Sequence, residues 1–278
     1  MNKIKKSKLK KKDLNFYKKD GFLYIENFFD KKLIKEINKS ITLSLDEILK
    51  KKKLYNTFGH YDLNKKLFEF RKSYPTFFAE YFETLQTIAN IYPPLVNKKT
   101  LSIMAQLLGI SKDFITLTDV AIRLDSPNDS RNTLEWHQDS SYYRQNNFGK
   151  NGVVVWSPLI HDTSLDMGPI EFLRKSQKIG TLMTSKKDSK NKLFSKKISI
   201  TQNKIKNYLK NMTCTDVKQG DVLLMNLDMV HRSGINLSDK FRITLLGRYH
   251  NSKSNDYNAG LNIYRYFDRG INKKVHKF

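Results

Sequence analysis

The chain has 278 residues, of which 39% are hydrophobic and 12% aromatic, enough to build a core and to exclude wholesale disorder despite 28% charged residues. A formal net charge of +24 would ordinarily point to nucleic acid or an anionic surface. The lysines, however, are spread along a chain also rich in Asn, Ile, Phe and Tyr, the composition expected of AT-rich coding DNA, whereas nucleic-acid binders cluster Arg and Lys on one element beside stacking aromatics.

At the N-terminus, Lys3 to Lys12 holds seven lysines. This segment has no apolar signal core, and no stretch of the chain approaches the roughly 20 apolar residues of a membrane span. We read residues 1–12 as a basic tail, residues 13–278 as one domain, and the protein as soluble and cytoplasmic. The single cysteine, Cys214, permits no intrachain disulfide, agrees with a reducing compartment and argues against thiolate zinc sites.

Along the chain, Tyr17 to Phe28 predicts a helix that stops at Asp20-Gly21 and a strand behind it, followed by a helix over roughly Lys31 to Lys51. Near the middle stands Trp136-His137-Gln138-Asp139-Ser140. His137 and Asp139 are one residue apart, so in extended chain both side chains project to the same face and can reach one metal, which a helix would not allow. A lone His-x-Asp is a weak signal. Val153 to Leu159 follows as a core strand, and Gly168 to Lys178 as a turn-rich segment. Between Lys178 and Lys210 lie ten lysines and one acid, Asp188, which reads as an insertion: either a lid that meets an anionic substrate or a solvated loop.

The second half of the signal is Gln219-Gly220-Asp221 with the apolar run Val222 to Met225, leading into Met229-Val230-His231-Arg232-Ser233-Gly234. Two imidazoles and a carboxylate, here His137, Asp139 and His231, form the facial triad of non-haem Fe(II) oxygenases and leave positions open for a cosubstrate and O2. Lys240 to Leu246 alternates as a strand whose Arg242, eleven residues after His231, points inward, where a guanidinium can hold a carboxylate. His60, His161, His250 and His276 have no partner at ligand spacing.

Taken in order, Tyr17 to Phe28, Trp136-His137-Gln138-Asp139 with Tyr142 and Tyr143 behind it, Val153 to Leu159, the Gly-Asp turn and His231-x-Ser233-Gly234 resemble the phytanoyl-CoA dioxygenase family, from about Phe16 to Tyr249. One segment departs: Leu173-Arg174-Lys175-Ser176-Gln177 stands where the family has Pro-Gly-Ser-His, which puts the local turn in question. The resemblance implies a mainly β protein with flanking helices. Its core would be a double-stranded β-helix, a cupin-like jelly roll over about 115–250, with iron at the mouth of the barrel.

The resemblance also implies an Fe(II)- and 2-oxoglutarate-dependent oxygenase that uses O2 to hydroxylate a small molecule at an unactivated C–H bond, releasing succinate and CO2. His137, Asp139 and His231 would hold the metal. Arg242 would hold the cosubstrate's distal carboxylate with Ser233 as second donor. Beside the resemblance, Arg123, on the strand before the first metal motif, is the alternative cation, and Trp156 fits either core packing or a further cosubstrate contact. Because Asp139 fills the position a halide would take, hydroxylation is favoured over chlorination. The diffuse charge weakly favours an anionic substrate, which the sequence does not name. The rival readings are a non-redox metal-binding jelly roll and a basic nucleic-acid-binding module.

Overall fold

The computed structural model describes residues 3–4, 8–129, 133–142, 151–182, 185–187 and 197–257. The N-terminal third is helical: α1 (Lys11–Asp20), α2 (Lys31–Lys51), α3 (Tyr55–Phe58), α4 (Leu63–Ser73), α5 (Pro75–Leu85), α6 (Pro93–Val96) and α7 (Lys98–Leu108). As expected, α1 ends at Gly21, whose φ of 86° is the left-handed conformation that glycine adopts without a Cβ penalty. Helix α2 has the bounds expected of it. Asp30 accepts from the Lys32 N–H at its start, and Ile34, Ile37, Ile41, Leu45 and Ile48 form one buried stripe at helical spacing.

The strands are β1 (Lys3–Ile4), β2 (Phe22–Ile25), β3 (Ile115–Asp125), β4 (Gly152–Pro158), β5 (Ile170–Leu173), β6 (Ser185–Lys187), β7 (Lys197–Ser199), β8 (Met212–Thr213), β9 (Val222–Asn226), β10 (His231–Ser233) and β11 (Arg242–Asn251). A six-stranded sheet runs β1-β2-β9-β4-β11-β3, and a three-stranded sheet runs β10-β5-β8. All pairings are antiparallel except that of β1 with β2. The fold is the expected jelly-roll type, mainly sheet with flanking helices, but the two sheets face each other without closing into a barrel. Nor do strands from about 115–250 suffice for the large sheet, since β2 from the helical third pairs with β9.

The large sheet is covered on both faces, and strand alternation sorts its residues between two cores. Leu23, Ile25, Val153, Val155, Val222, Leu224, Ile243 and Leu245 pack toward the helices. Phe22, Tyr24, Val154, Trp156, Leu223, Met225 and Leu246 pack toward the small sheet. Burial on both sides is why these strands read in the sequence as unbroken apolar runs. Each fully buried Leu, Ile or Phe adds about 1.5–3 kcal/mol.

The lysine-rich segment behaves differently from either expectation over its last third. Ile200 donates to the Trp136 carbonyl at 2.7 Å, and Ile205 of α8 (Gln202–Leu209) is buried with Trp136, Leu173 and Val230. Residues 199–209 are therefore part of the packed wall behind His137. Strands β6 and β7 pair with each other; residues 183–184 and 188–196, with Lys190 and Lys192, lie outside the described residues, as do Tyr143 and His276. No described helix is long and apolar enough to cross a membrane.

Candidate metal centre

His137 and His231 are directly opposed. Each donates its backbone N–H to the other's carbonyl at 2.9 Å, and their rings lie 4.2 Å apart on the inner face. The extended chain ends there, since Asp139 opens a short helical turn; Gln138 between them points the other way, donating to the Asp228 and Gly180 carbonyls at 2.6 and 2.9 Å. Alternation thus holds long enough to bring His137 and Asp139 to one side. Asp139 Oδ1 lies 3.6 Å from His137 Nε2 and 3.7 Å from His231 Nε2, and all three side chains are buried. These donor atoms fall within 4.8 Å of one another, the one such cluster of three His, Cys, Asp or Glu among the described residues.

The outer atoms of the triad are tethered. His137 Nδ1 lies 2.7 Å from the Glu135 carbonyl and His231 Nδ1 lies 2.9 Å from the Met229 carbonyl. A carbonyl only accepts, so both Nδ1 atoms carry the proton and both Nε2 lone pairs face the shared centre, the arrangement typical of metal-binding histidines. Burial, then the neighbouring His137, lowers the His231 pKa to about 4, against the pull of Asp139, so its imidazole is neutral at pH 7. Burial alone would raise the Asp139 pKa; the Arg248 charge and the hydrogen bond and charges of the histidines outweigh it and hold the carboxyl well below its usual range.

The arginines form the floor. Residues 242, 246 and 248 of β11 share the inner face, opposite Asp125, Ala121 and Asp119 of β3. Arg242 is buried: its Nε donates to Asp125 Oδ2 at 3.2 Å, its Nη1 donates to the carbonyls of Gly234 and Met167 at 3.1 and 3.3 Å, and its Nη2 lies 3.0 Å from Asp125 Oδ2. Arg123 grips the same carboxylate from its own strand, through Nε at 3.2 Å and Nη2 at 2.7 Å. Those carbonyls come from two segments in close contact: at Gly168, φ 67°, a Cβ would run into the Ile235 carbonyl oxygen.

One cleft gathers the residues expected to hold metal and cosubstrate, lined by His137, Asp139, His231, Ser233, Arg242, Arg123 and Trp156. Leu134, Val154, Ile170 and Leu246 supply its apolar wall. Ser233 Oγ accepts from the Leu134 N–H at 3.3 Å, which leaves its hydroxyl hydrogen available to a ligand. His250 is buried beside Thr118, its Nδ1 2.8 Å from Oγ1, and does not line the cleft. Burial, then Glu171, pushes the Cys214 thiol up to about 11, so it is no thiolate nucleophile at neutral pH.

Sequence reasoning missed Arg248, Asp119 and Asp125. Arg248 was accessible by counting in twos from Arg242 along the strand, and Asp125 by the same count from Arg123. The departure at Leu173 to Gln177 also resolves. Lys175 has φ 69°, a left-handed backbone at the residue before Ser176, where the family's Pro-Gly-Ser-His has glycine. Ser176 Oγ still accepts from the Val230 N–H at 2.8 Å, beside His231.

The model for phytanoyl-CoA dioxygenase (PhyH) matches residues 17–244. No curated protein sequence matches the chain. Among solved structures, EvdO2 from Micromonospora carbonacea var. aurantiaca, complexed with 2-oxoglutarate, is 13% identical, with 87% of this chain and 90% of that one covered and a TM-score of 0.57. EctD from S. alaskensis, with 2-oxoglutarate and 5-hydroxyectoine, is 11% identical over 87% of this chain and 76% of that one, with a TM-score of 0.58. At such identities the likeness is one of fold, whereas the family match spans most of the sequence, and the chain belongs to the phytanoyl-CoA dioxygenase family.

Proposed function

We propose that this protein is an Fe(II)- and 2-oxoglutarate-dependent oxygenase that hydroxylates a small molecule at an unactivated C–H bond, releasing succinate and CO2. The observation that carries this reading is the triad itself. Two imidazoles with Nε2 turned inward and one buried carboxylate oxygen between them make a donor set suited to Fe(II), and the outer atom of each ligand is already engaged by the protein. Family membership and the 2-oxoglutarate held by EvdO2 and EctD support it.

In this reading His137, Asp139 and His231 hold the metal. Arg242, fixed by Asp125 and two carbonyls, presents its remaining N–H to the distal carboxylate of 2-oxoglutarate, with Ser233 as second donor and Arg123 and Trp156 beside it. Bound together, Fe(II) and 2-oxoglutarate supply activation of O2 for C–H oxidation. The chain's own part is to keep the ligands oriented, to surround the centre with Val154, Ile170 and Leu246 against water, and to position the substrate. We take residues 13–278 as one domain, since β2 completes the sheet that carries the floor of the site, with β1 of the basic tail added at the edge of that sheet.

The prime substrate is a small molecule. Arg123, Arg242 and Arg248 are each ion-paired with aspartate, so an anionic preference rests on the diffuse surface charge and not on the cleft. Anaerobic reconstitution with Fe(II) and 2-oxoglutarate, followed by a metabolite screen for O2-dependent succinate release above the uncoupled rate, tests the proposal. No succinate under any condition, with metal bound, leaves the non-redox metal-binding jelly roll as the reading.

A further inference from the structure

Every ligand of the triad is tethered, but the tethers differ in kind. The two histidines are held by neutral backbone carbonyls, whereas Asp139 is held by a cation: Arg248 Nε donates to its Oδ2 at 2.8 Å and Nη2 reaches Oδ1 at 3.3 Å. The shorter contact occupies Oδ2, and Oδ1 is the oxygen that faces the two imidazole nitrogens. A positive charge beside a cation site would ordinarily oppose metal binding, because like charges in a buried, low-dielectric site repel. The structure supplies a counterweight. Arg248 Nη1 donates to Asp119 Oδ2 at 2.6 Å, and Asp119 is the residue directly across from Arg248 in the β3–β11 pairing.

We infer that Arg248 is a positioning residue that holds Asp139 with Oδ1 alone turned to the metal, and that Asp119 exists to neutralise the guanidinium so that this hold does not repel the metal. The inference rests on the iron reading above and adds two residues to it. Held by Oδ2, Asp139 offers one oxygen, so three protein atoms bind and the open positions that a cosubstrate and O2 need are kept free. Arg248 lies on the same strand face as Arg242, so one strand sets both the metal ligand and the cosubstrate clamp.

The test is titration of metal-free protein with Co(II), followed by the visible d–d spectrum, which reports both affinity and coordination number. Arg248→Gln is expected to weaken Co(II) binding roughly 10–100-fold, the usual effect of losing an outer partner of a metal ligand. Its spectrum should shift as Asp139 becomes free to bind through both oxygens. Asp119→Asn, which leaves the arginine in place and uncompensated, should also weaken binding. The double variant should be no weaker than Arg248→Gln alone, because the influence of Asp119 on the metal runs through Arg248.

Thermal unfolding of each metal-free variant keeps stability apart from affinity, and Arg248→Lys, with a charge but no two-pronged grip, should restore less than wild-type affinity. If Arg248→Gln fails to fold, Asp119→Asn and the charge-balanced double variant carry the test. Unchanged or tighter Co(II) binding in a folded Arg248→Gln protein, or additive losses in the double variant, would overturn the inference. A wild-type protein that binds no Co(II) would instead remove the iron reading, and this one with it.

Discussion

Asp125 and Arg242 are cross-strand partners, one at the end of β3 and the other at the start of β11, and the Asp125 carboxylate holds two arginines at once, Arg242 at 3.0 Å and Arg123 at 2.7 Å. Burial alone would raise the Asp125 pKa, but the charges of Arg123 and Arg242 and their hydrogen bonds hold it below the usual carboxylate value. Asp125→Asn should therefore misplace both cations and destabilise the fold, by about 3–5 kcal/mol for breaking a buried ion pair. Urea unfolding measures the loss; a stability within error of wild type would show that the carbonyls alone hold Arg242.

Arg242→Leu should raise the apparent 2-oxoglutarate requirement strongly, since a desolvated carboxylate that loses its cation costs about 2–5 kcal/mol. Ser233→Ala should do less, because a neutral hydrogen bond contributes about 0.5–1.5 kcal/mol. Uncoupled succinate release against 2-oxoglutarate concentration reads both. An unchanged requirement in Arg242→Leu would pass the role to Arg123, which lines the same cleft.

Removing a metal ligand should leave the fold. Asp139→Ala and His231→Ala are expected to abolish Fe(II) binding and turnover, with circular dichroism unchanged, because these side chains face the cleft and not the apolar cores. Full activity in either variant would remove the iron assignment.

Stability of the metal-free protein should fall with acid. His231 and His250 are both buried with pKa lowered to about 4, His231 by burial and His137, His250 by burial and Arg248. The unfolded chain binds protons at these positions near pH 6.5 and the folded chain does not, so their contribution is complete above pH 6.5 and is lost as pH falls from there toward 4. Arg248, Asp139, Asp256, Asp119 and Thr118 surround His250, so His250→Gln should flatten the slope in this window. A thermal midpoint that does not move between pH 7 and pH 4.5 would contradict these neutral imidazoles.

Lys175→Gly should stabilise the protein. A left-handed non-glycine residue costs about 1–2 kcal/mol, and glycine's extra freedom in the unfolded chain takes back about 0.5–1 kcal/mol. A net gain of up to about 1.5 kcal/mol is expected in the stability read from denaturant unfolding. A loss would mean that the Lys175 side chain contributes more than its backbone strain removes.

The site was legible in the sequence where chemistry needs a rare residue type at a fixed spacing. His137-x-Asp139, His231-x-Ser233 and Arg242 each carry such a constraint, and they converge on one cleft. What supports them was harder to see. The Glu135 and Met229 carbonyls that orient the imidazoles are backbone atoms with no residue signature, and Arg248, Asp119 and Asp125 look like ordinary strand charges until β3 and β11 are paired in register. The same limit applies to the fold. Strong apolar runs marked β4 and β9, but Phe22 to Ile25 gave no sign that it would join them, because pairing between distant segments leaves no local pattern. Residues 199–209 read as part of a lysine-rich loop, since charge dominates the composition there while two isoleucines, Ile200 and Ile205, decide the packing.

If one centre binds Fe(II) and 2-oxoglutarate together, anaerobic absorption spectroscopy of the metal-free protein will show it. Addition of Fe(II) and 2-oxoglutarate should produce a visible charge-transfer band that neither produces alone, that saturates at one equivalent of each, and that is absent from Asp139→Ala. Stoichiometric Fe(II) binding with no such band at saturating 2-oxoglutarate would show that the metal and the 2-oxo acid do not share a centre.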